Sequence, residues 1–193
     1  MTMLSPDPSS DPVSLPVVIV LAAGRGERFA ASGGQVHKLS ALLAGKPVLD
    51  HVLDAVVASG LPHHIVRPDP SRPGMGDAIA AGVRATSQAS GWLILPGDLP
   101  LVQAGTLREI ALASCAGAIV PMYRGQRGHP VRFSAGAGPA LAGLEGNRGA
   151  ALVLQGLIAI NSVAFMDVSD AGIVTDIDTL DDLQRAQALL AAR

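Results

Sequence analysis

The sequence predicts a doubly wound α/β fold: a single, mostly parallel sheet with helices on both faces. Three observations carry this. Short apolar runs rich in β-branched residues, with Val17-Val18-Ile19-Val20 the clearest, and the run Trp92-Leu93-Ile94-Leu95 read as strands buried on both faces. Segments of helical periodicity separate such runs. In the best of them Val48, Leu49, Val52, Leu53 and Val56 recur at spacings of three and four, and Gly60 supplies a stop. Finally, strand-like and helix-like segments alternate along most of the chain, which favours parallel strands joined by helical crossovers.

Taken in order, residues 1–14 read as a disordered tail, rich in Pro, Ser and Asp, and residues 15–193 as the folded domain. A strand over Pro16 to Ala22 opens into a loop from Gly24 to Gly34 with four glycines. The helix from Lys46 to Ser59 is followed by a short strand at His64-Ile65-Val66, a Pro-rich turn and a helix from Gly76 to Thr86. The strand at 92–95 ends at Pro96-Gly97. A helix over Thr106 to Ser114, a strand over Gly117 to Met122 and a second strand at Pro130-Val131-Arg132-Phe133 come next. Two short helices follow, around Gly138 to Leu144 and Gly149 to Leu154. Strands at Val163 to Val168 and Ile173-Val174 precede a helix from Thr179 to about Ala191.

Bulk composition narrows the function classes. About half of the 193 residues are hydrophobic (49%), yet no run reaches the ~20 apolar residues that span a bilayer. A formal net charge of −2 leaves no broad basic field for nucleic acid. The start of the chain lacks the basic and apolar regions of a secretory signal, so a reducing cytoplasm is the default expectation. Cys115 is the single cysteine and reads as a small packed residue at a helix end rather than as a nucleophile.

Four segments carry chemistry. The turn Leu21-Ala22-Ala23-Gly24-Arg25-Gly26 follows a buried strand, and its small residues allow backbone N–H groups close to phosphate. It is not the dinucleotide pattern, whose third glycine would fall at Phe29, nor a P-loop, because Gly45-Lys46 is followed by Pro47. Arg28 and Lys38 lie downstream, a planar bidentate cation and a compact one, both suited to charge on a transferring phosphoryl group. In Leu95-Pro96-Gly97-Asp98-Leu99-Pro100 a carboxylate sits just past the end of a buried strand, the edge where open α/β sheets bind ligands. Such a carboxylate suits Mg²⁺ bridging substrate phosphates, or it caps the turn.

In Asp176-Ile177-Asp178-Thr179 the two acids share one side of an extended chain, while Thr179 and Asp182 have the spacing of a capping box. Asp178 therefore reads equally as a metal ligand and as a helix-start residue. The polar segments Gly125 to Pro130 and Gly146-Asn147-Arg148-Gly149 can shape a site for an anionic acceptor. His129, between Gly and Pro, serves as well to brace a turn. No zinc spacing and no Gly-x-Ser-x-Gly elbow is present.

Together, Leu-Ala-Ala-Gly at 21–24 with Arg28, Lys38, Gly-Met-Gly-Asp at 74–77, Pro-Gly-Asp-Leu-Pro at 96–100, Gly-His-Pro-Val at 128–131 and Asp-Ile-Asp-Thr at 176–179 resemble the MobA-like nucleotidyltransferases. The branch most similar is the molybdenum cofactor cytidylyltransferases. The resemblance implies a Rossmann-like nucleotidyltransferase fold. It implies that Leu21, Ala22, Ala23, Gly24, Arg25, Gly26, Gly76 and Asp77 hold the nucleotide and that Arg28, Lys38 and Asp98 are catalytic. Asp98 and Asp178 would hold Mg²⁺, and His129, Asn147 and Arg148 would face the acceptor. Alanine at position 23 points to CTP, and the implied acceptor is molybdopterin, which leaves room for a molybdoenzyme partner. GTP, a sugar- or polyol-phosphate acceptor, or a non-catalytic nucleotide-binding module are the alternatives. The sequence departs from the family's pattern where Ala30 replaces a glycine, where the loop 30–37 is longer, and where Asn147 stands in place of Asp.

Overall fold

The computed structural model describes residues 14–72 and 74–192. All but the last residue of the expected N-terminal tail lies outside the described residues. At residue 14 the carbonyl accepts a hydrogen bond from the Ser90 hydroxyl.

The elements run β1 (Val17–Leu21), α1 (Glu27–Ala31), β2 (Leu42–Leu43), β3 (Lys46–Pro47), α2 (Val48–Ser59), β4 (His63–Val66), α3 (Met75–Ala85), β5 (Gly91–Pro96), α4 (Ala104–Leu112), β6 (Ala118–Tyr123), β7 (Gln126–Arg127), β8 (Val131–Ser134), α5 (Gly138–Ala142), α6 (Ala151–Ala159), β9 (Val163–Asp167) and α7 (Leu180–Ala191). Seven strands form the main sheet in the order β4-β1-β5-β8-β6-β7, with β9 on the far side of β6. Strands β1, β4, β5, β6 and β9 run one way, while β7 and β8 run against them. The sheet is thus mostly parallel, as expected, with β8 inserted between two parallel neighbours.

Alternation along the strands divides the core. Ile19 and Leu21 of β1 face one layer with Trp92, Ile94 and Phe133, against Ile79 and Val83 of α3 and Leu141 of α5. Val18 and Val20 face the other with Leu93 and Leu95, against Val52 and Val56 of α2 and Leu107 and Ile110 of α4. Successive side chains of a strand point to opposite faces, so a continuous apolar run requires two covering layers. A third cluster, including Ala22, Phe29, Leu39, Leu43, Leu101, Ile177 and Ala186, gathers beneath the loops that carry the polar segments.

Several expectations need correction. Within the glycine loop, α1 forms because Phe29 is anchored in the third cluster at 1% exposure. Lys46-Pro47 pairs with Leu42-Leu43 as a small hairpin, and helix α2 begins only at Val48. Proline has no N–H to give a helix interior and sits here at the helix start. Ile173-Val174 is not a strand but part of a 3₁₀ turn, Ala171–Val174. The Asp170 carboxylate accepts from the Gly172 and Gln103 amides, and Ile173 is buried in the second core layer, so packing and capping override β propensity. The second of the two short helices is longer than expected, Ala151–Ala159. Cys115 lies just past α4, half-buried, and burial pushes its thiol up from the ordinary range, in keeping with an inert thiol. No helix among the described residues is long and apolar enough to cross a membrane.

Candidate active site

The site lies at the carboxyl ends of β1 and β5. Their register ends on Leu21 opposite Pro96, and the Gly97 amide donates to the Leu21 carbonyl at 3.0 Å. The turn at 21–26 and Asp98 therefore leave the sheet side by side. The Asp98 carbonyl then accepts from the Ile177 amide at 2.9 Å, and Ile177 is fully buried. This fixes the segment carrying Asp178 against the one carrying Asp98, although 80 residues separate them in the chain.

Lys38 enters on a 3₁₀ turn, Lys38–Ser40, anchored by Leu39 in the third core cluster. Its Nζ donates to Asp98 Oδ2 at 2.6 Å and to Asp178 Oδ1 at 2.8 Å, and the residue is only 8% exposed. Burial disfavours the ammonium, but the Asp98 charge, the two hydrogen bonds and the Asp178 charge outweigh it, so the Lys38 pKa is raised. Arg28, largely exposed on α1, reaches the other Asp178 oxygen at 2.5 Å. Asp176 stands beside this cluster. Its carboxyl is pushed up, first by desolvation and further by the charges of Asp178 and Asp98.

Around this cluster opens a cleft of about 640 Å³. The β1 turn and the Lys38 cluster supply one part of its wall, through Leu21, Ala23, Gly24, Arg25, Gly26, Arg28, Lys38, Asp98 and Asp178, and other segments supply a second part, through Gln126, Arg127, His129 and Asn147. The His129 amide is held by the Ile173 carbonyl at 2.9 Å, and the peptide bond from His129 to Pro130 is cis. Desolvation lowers the His129 pKa, offset in part by Asp98, so at neutral pH the ring is neutral. The Arg127 guanidinium lies 5.0 Å from the centre of the Phe165 ring, an orienting cation–π contact.

Four residues expected in the site do not line the cleft: Ala22, Gly76, Asp77 and Arg148. Ala22 packs downward into the third cluster. Asp77 Oδ2 accepts from the Gly146 amide at 3.0 Å, and a Cβ on Gly76 would come within 2.9 Å of the Glu145 carbonyl. The Gly-Met-Gly-Asp segment thus pins the 145–149 loop to the start of α3, which brings Met75 and Asn147 to the cleft. Sequence reasoning singled out neither Met75 nor His37, whose contact with the turn is described below. Met75 stands inside the Gly-Met-Gly-Asp motif, whose glycine and acid drew the attention, and no local pattern marks His37.

Among the described residues there is no group of three or more His, Cys, Asp or Glu side chains arranged to hold a metal. The two carboxylates that converge on one ammonium nevertheless fit a hard divalent cation that takes one or two protein oxygens and completes its shell with phosphates and water.

The MobA-like NTP transferase domain family matches residues 18–162. The chain belongs to this family. The cleft lies where the carboxyl ends of β1 and β5 open. Among curated relatives, the bifunctional protein GlmU of Paracidovorax citrulli is 33% identical over 125 residues, 52% of this chain and 26% of that protein. The chain spans about a quarter to a third of the length of the curated relatives it matches. Among solved structures, a nucleotidyl transferase from Methanothermobacter thermautotroptrophicus superposes with a TM-score of 0.77 at 23% identity, covering 93% of this chain and 99% of that one. A Mycobacterium tuberculosis protein solved in complex with manganese gives 0.68 at 22% identity over 90% and 98%. Molybdopterin-guanine dinucleotide biosynthesis protein A of Archaeoglobus fulgidus gives 0.60 at 19% identity over 92% and 100%. These structures share the fold of this chain.

Proposed function

We propose that the enzyme transfers CMP from CTP to the phosphate of a molybdopterin-type acceptor and releases pyrophosphate. The observation that carries this reading is the Lys38 ammonium gripped by Asp98 and Asp178 on the wall into which the β1 turn opens. Such a cluster places fixed positive and negative charge where a polyphosphate chain and a cation would meet.

The turn at 21–26 binds the nucleotide, its small residues allowing backbone N–H groups close to the phosphates. Ala23 lines the cleft, and its methyl group supports the smaller cytosine over guanine. An oxygen of the acceptor phosphate attacks the α-phosphorus in line. The new P–O bond forms as the bond to the bridging oxygen of the β-phosphate breaks, and pyrophosphate leaves with that electron pair. Lys38 and Arg28 stabilise the charge that develops on the phosphoryl oxygens. Mg²⁺ held by Asp98 and Asp178 would supply Lewis-acid stabilisation of the same oxygens. The second wall, with Arg127, His129 and Asn147, receives the acceptor, and the guanidinium of Arg127 suits its phosphate.

A second reading, a sugar 1-phosphate acceptor, is favoured by the identity to GlmU over 125 residues. The test is pyrophosphate release with Mg²⁺, each nucleoside triphosphate in turn, and either molybdopterin or a sugar 1-phosphate. Release with CTP and molybdopterin is expected. Release only with the sugar phosphate would install the second reading. Tight CTP binding without release from any pairing would make the protein a nucleotide-binding module.

A further inference from the structure

The loop at 30–37 ends in a side chain that ties it back to the β1 turn. The His37 ring places Nε2 2.8 Å from the Gly24 carbonyl oxygen. On its other side Nδ1 lies 3.3 Å from the Leu39 amide nitrogen. Partner chemistry settles the tautomer. A carbonyl can only accept, so Nε2 carries the proton, and an amide can only donate, so Nδ1 is bare. The neutral imidazole thus joins the phosphate-facing turn to the 3₁₀ turn that presents Lys38. The ring also lies against Gly26, where φ is +67° and a Cβ would sit 3.5 Å from both the imidazole and the Lys38 chain.

The geometry has a consequence for the turn. In a trans peptide the carbonyl and the next N–H point in opposite directions. Drawing the Gly24 carbonyl towards His37 turns the Arg25 N–H to the side away from His37. The far end of the loop is held independently, since the Ser32 hydroxyl oxygen accepts from the Leu180 amide at 3.0 Å and Phe29 is buried. His37 thus hydrogen-bonds both the turn and the Lys38 segment.

We infer that His37 is a positioning residue for nucleotide binding. Its Nε2–H to Gly24 bond orients the turn so that the Arg25 N–H and the Lys38 ammonium engage the same triphosphate. The inference rests on the reading of the cleft as a nucleotide site, and names a determinant of affinity there. It predicts an effect on capture of the nucleotide rather than on the transfer step.

Glutamine and asparagine separate the two bonds of the ring. In His37→Gln the amide nitrogen reaches the place of Nε2 and keeps a donor for Gly24. In His37→Asn the shorter amide keeps an acceptor for the Leu39 amide and loses Gly24. CTP binding measured by equilibrium dialysis with Mg²⁺, together with KM and kcat, tests the inference. His37→Ala and His37→Asn should weaken CTP binding and raise KM by about tenfold, the loss of one structured hydrogen bond, with kcat within about twofold of native. His37→Gln should stay within about threefold of native. Glutamine and asparagine variants that bind CTP equally would overturn the role of the Gly24 bond, and so would a kcat collapse at unchanged KM. If His37→Ala fails to fold, the comparison of glutamine with asparagine still decides. Absence of CTP binding by the native protein would instead remove the nucleotide-site reading itself.

Discussion

In one part of the cleft wall Arg28, Lys38, Asp98 and Asp178 form one connected network, whereas in the second part Arg127 and His129 make no ion pair among the described residues, although the Asp98 charge is felt at His129. The first wall is held by backbone bonds between neighbouring strand ends, by Ile177 in the core and by the His37 bridge. On the second, Arg127 makes no ion pair among the described residues and leans on Phe165, and Asn147 depends on a loop pinned by one Asp77 bond. Charge that must stabilise a transition state is effective only where it is fixed before the reaction. Recognition of an acceptor tolerates looser groups that adapt to its shape. In the proposed function chemistry falls to the first wall and acceptor choice to the second, and each wall can be attacked separately.

The largest effect is expected at Asp98. Asp98→Asn preserves shape and can still accept from Lys38, but removes the charge at the end of β5. Pyrophosphate release should fall by roughly 10²–10³ in kcat, while the melting temperature stays near native. Full turnover in that variant would remove Asp98 from the mechanism and dissolve the contrast.

Lys38→Met comes next, because it leaves Asp98 and Asp178 facing each other with only the exposed Arg28 on Asp178 to offset their charge. The cost should be roughly 1–3 kcal/mol, below that of breaking a fully buried pair because cleft water screens the carboxylates. The melting temperature should drop by roughly 5 °C, and Mg²⁺ or Mn²⁺ should restore it more than it raises the native protein's. A variant whose melting is insensitive to either ion would exclude the carboxylate pair as a cation site.

What was legible in the sequence follows the same division. Strands β1 and β5 and helix α2 announce themselves through strong local patterns, and the Thr179–Asp182 capping box that starts α7 is present as expected. Asp98 and Asp178 were identifiable from their position at an element's end, and Lys38 as a cation downstream of the β1 turn. Their meeting was not, since it depends on contacts 60 and 140 residues apart in the chain. Local spacing left Asp176 and Asp178 equivalent, and the Ile177 bond to Asp98 together with Lys38 singles out Asp178. The 3₁₀ turn at Ala171–Val174 was hidden because β-branched residues serve equally in a strand and in a buried turn. Gly76 and Asp77 belonged to a recognisable motif, yet nothing local reveals that they grip the 145–149 loop rather than face the cleft.

The smallest effect is expected on the looser wall. Arg127 is oriented by the face of Phe165 rather than by an acid, so its guanidinium keeps its full charge for an incoming anion. Arg127→Gln removes the charge and leaves most of the side-chain length. If the second wall selects the acceptor, KM for the acceptor should rise by about three- to tenfold, the worth of one exposed charge-assisted contact. KM for CTP should not move, since no described contact links Arg127 to the Lys38 cluster. Steady-state measurements with each substrate varied in turn separate the two constants. A rise in KM for CTP equal to that for the acceptor would mean that the nucleotide extends across the cleft, and that the two walls form a single binding surface rather than two.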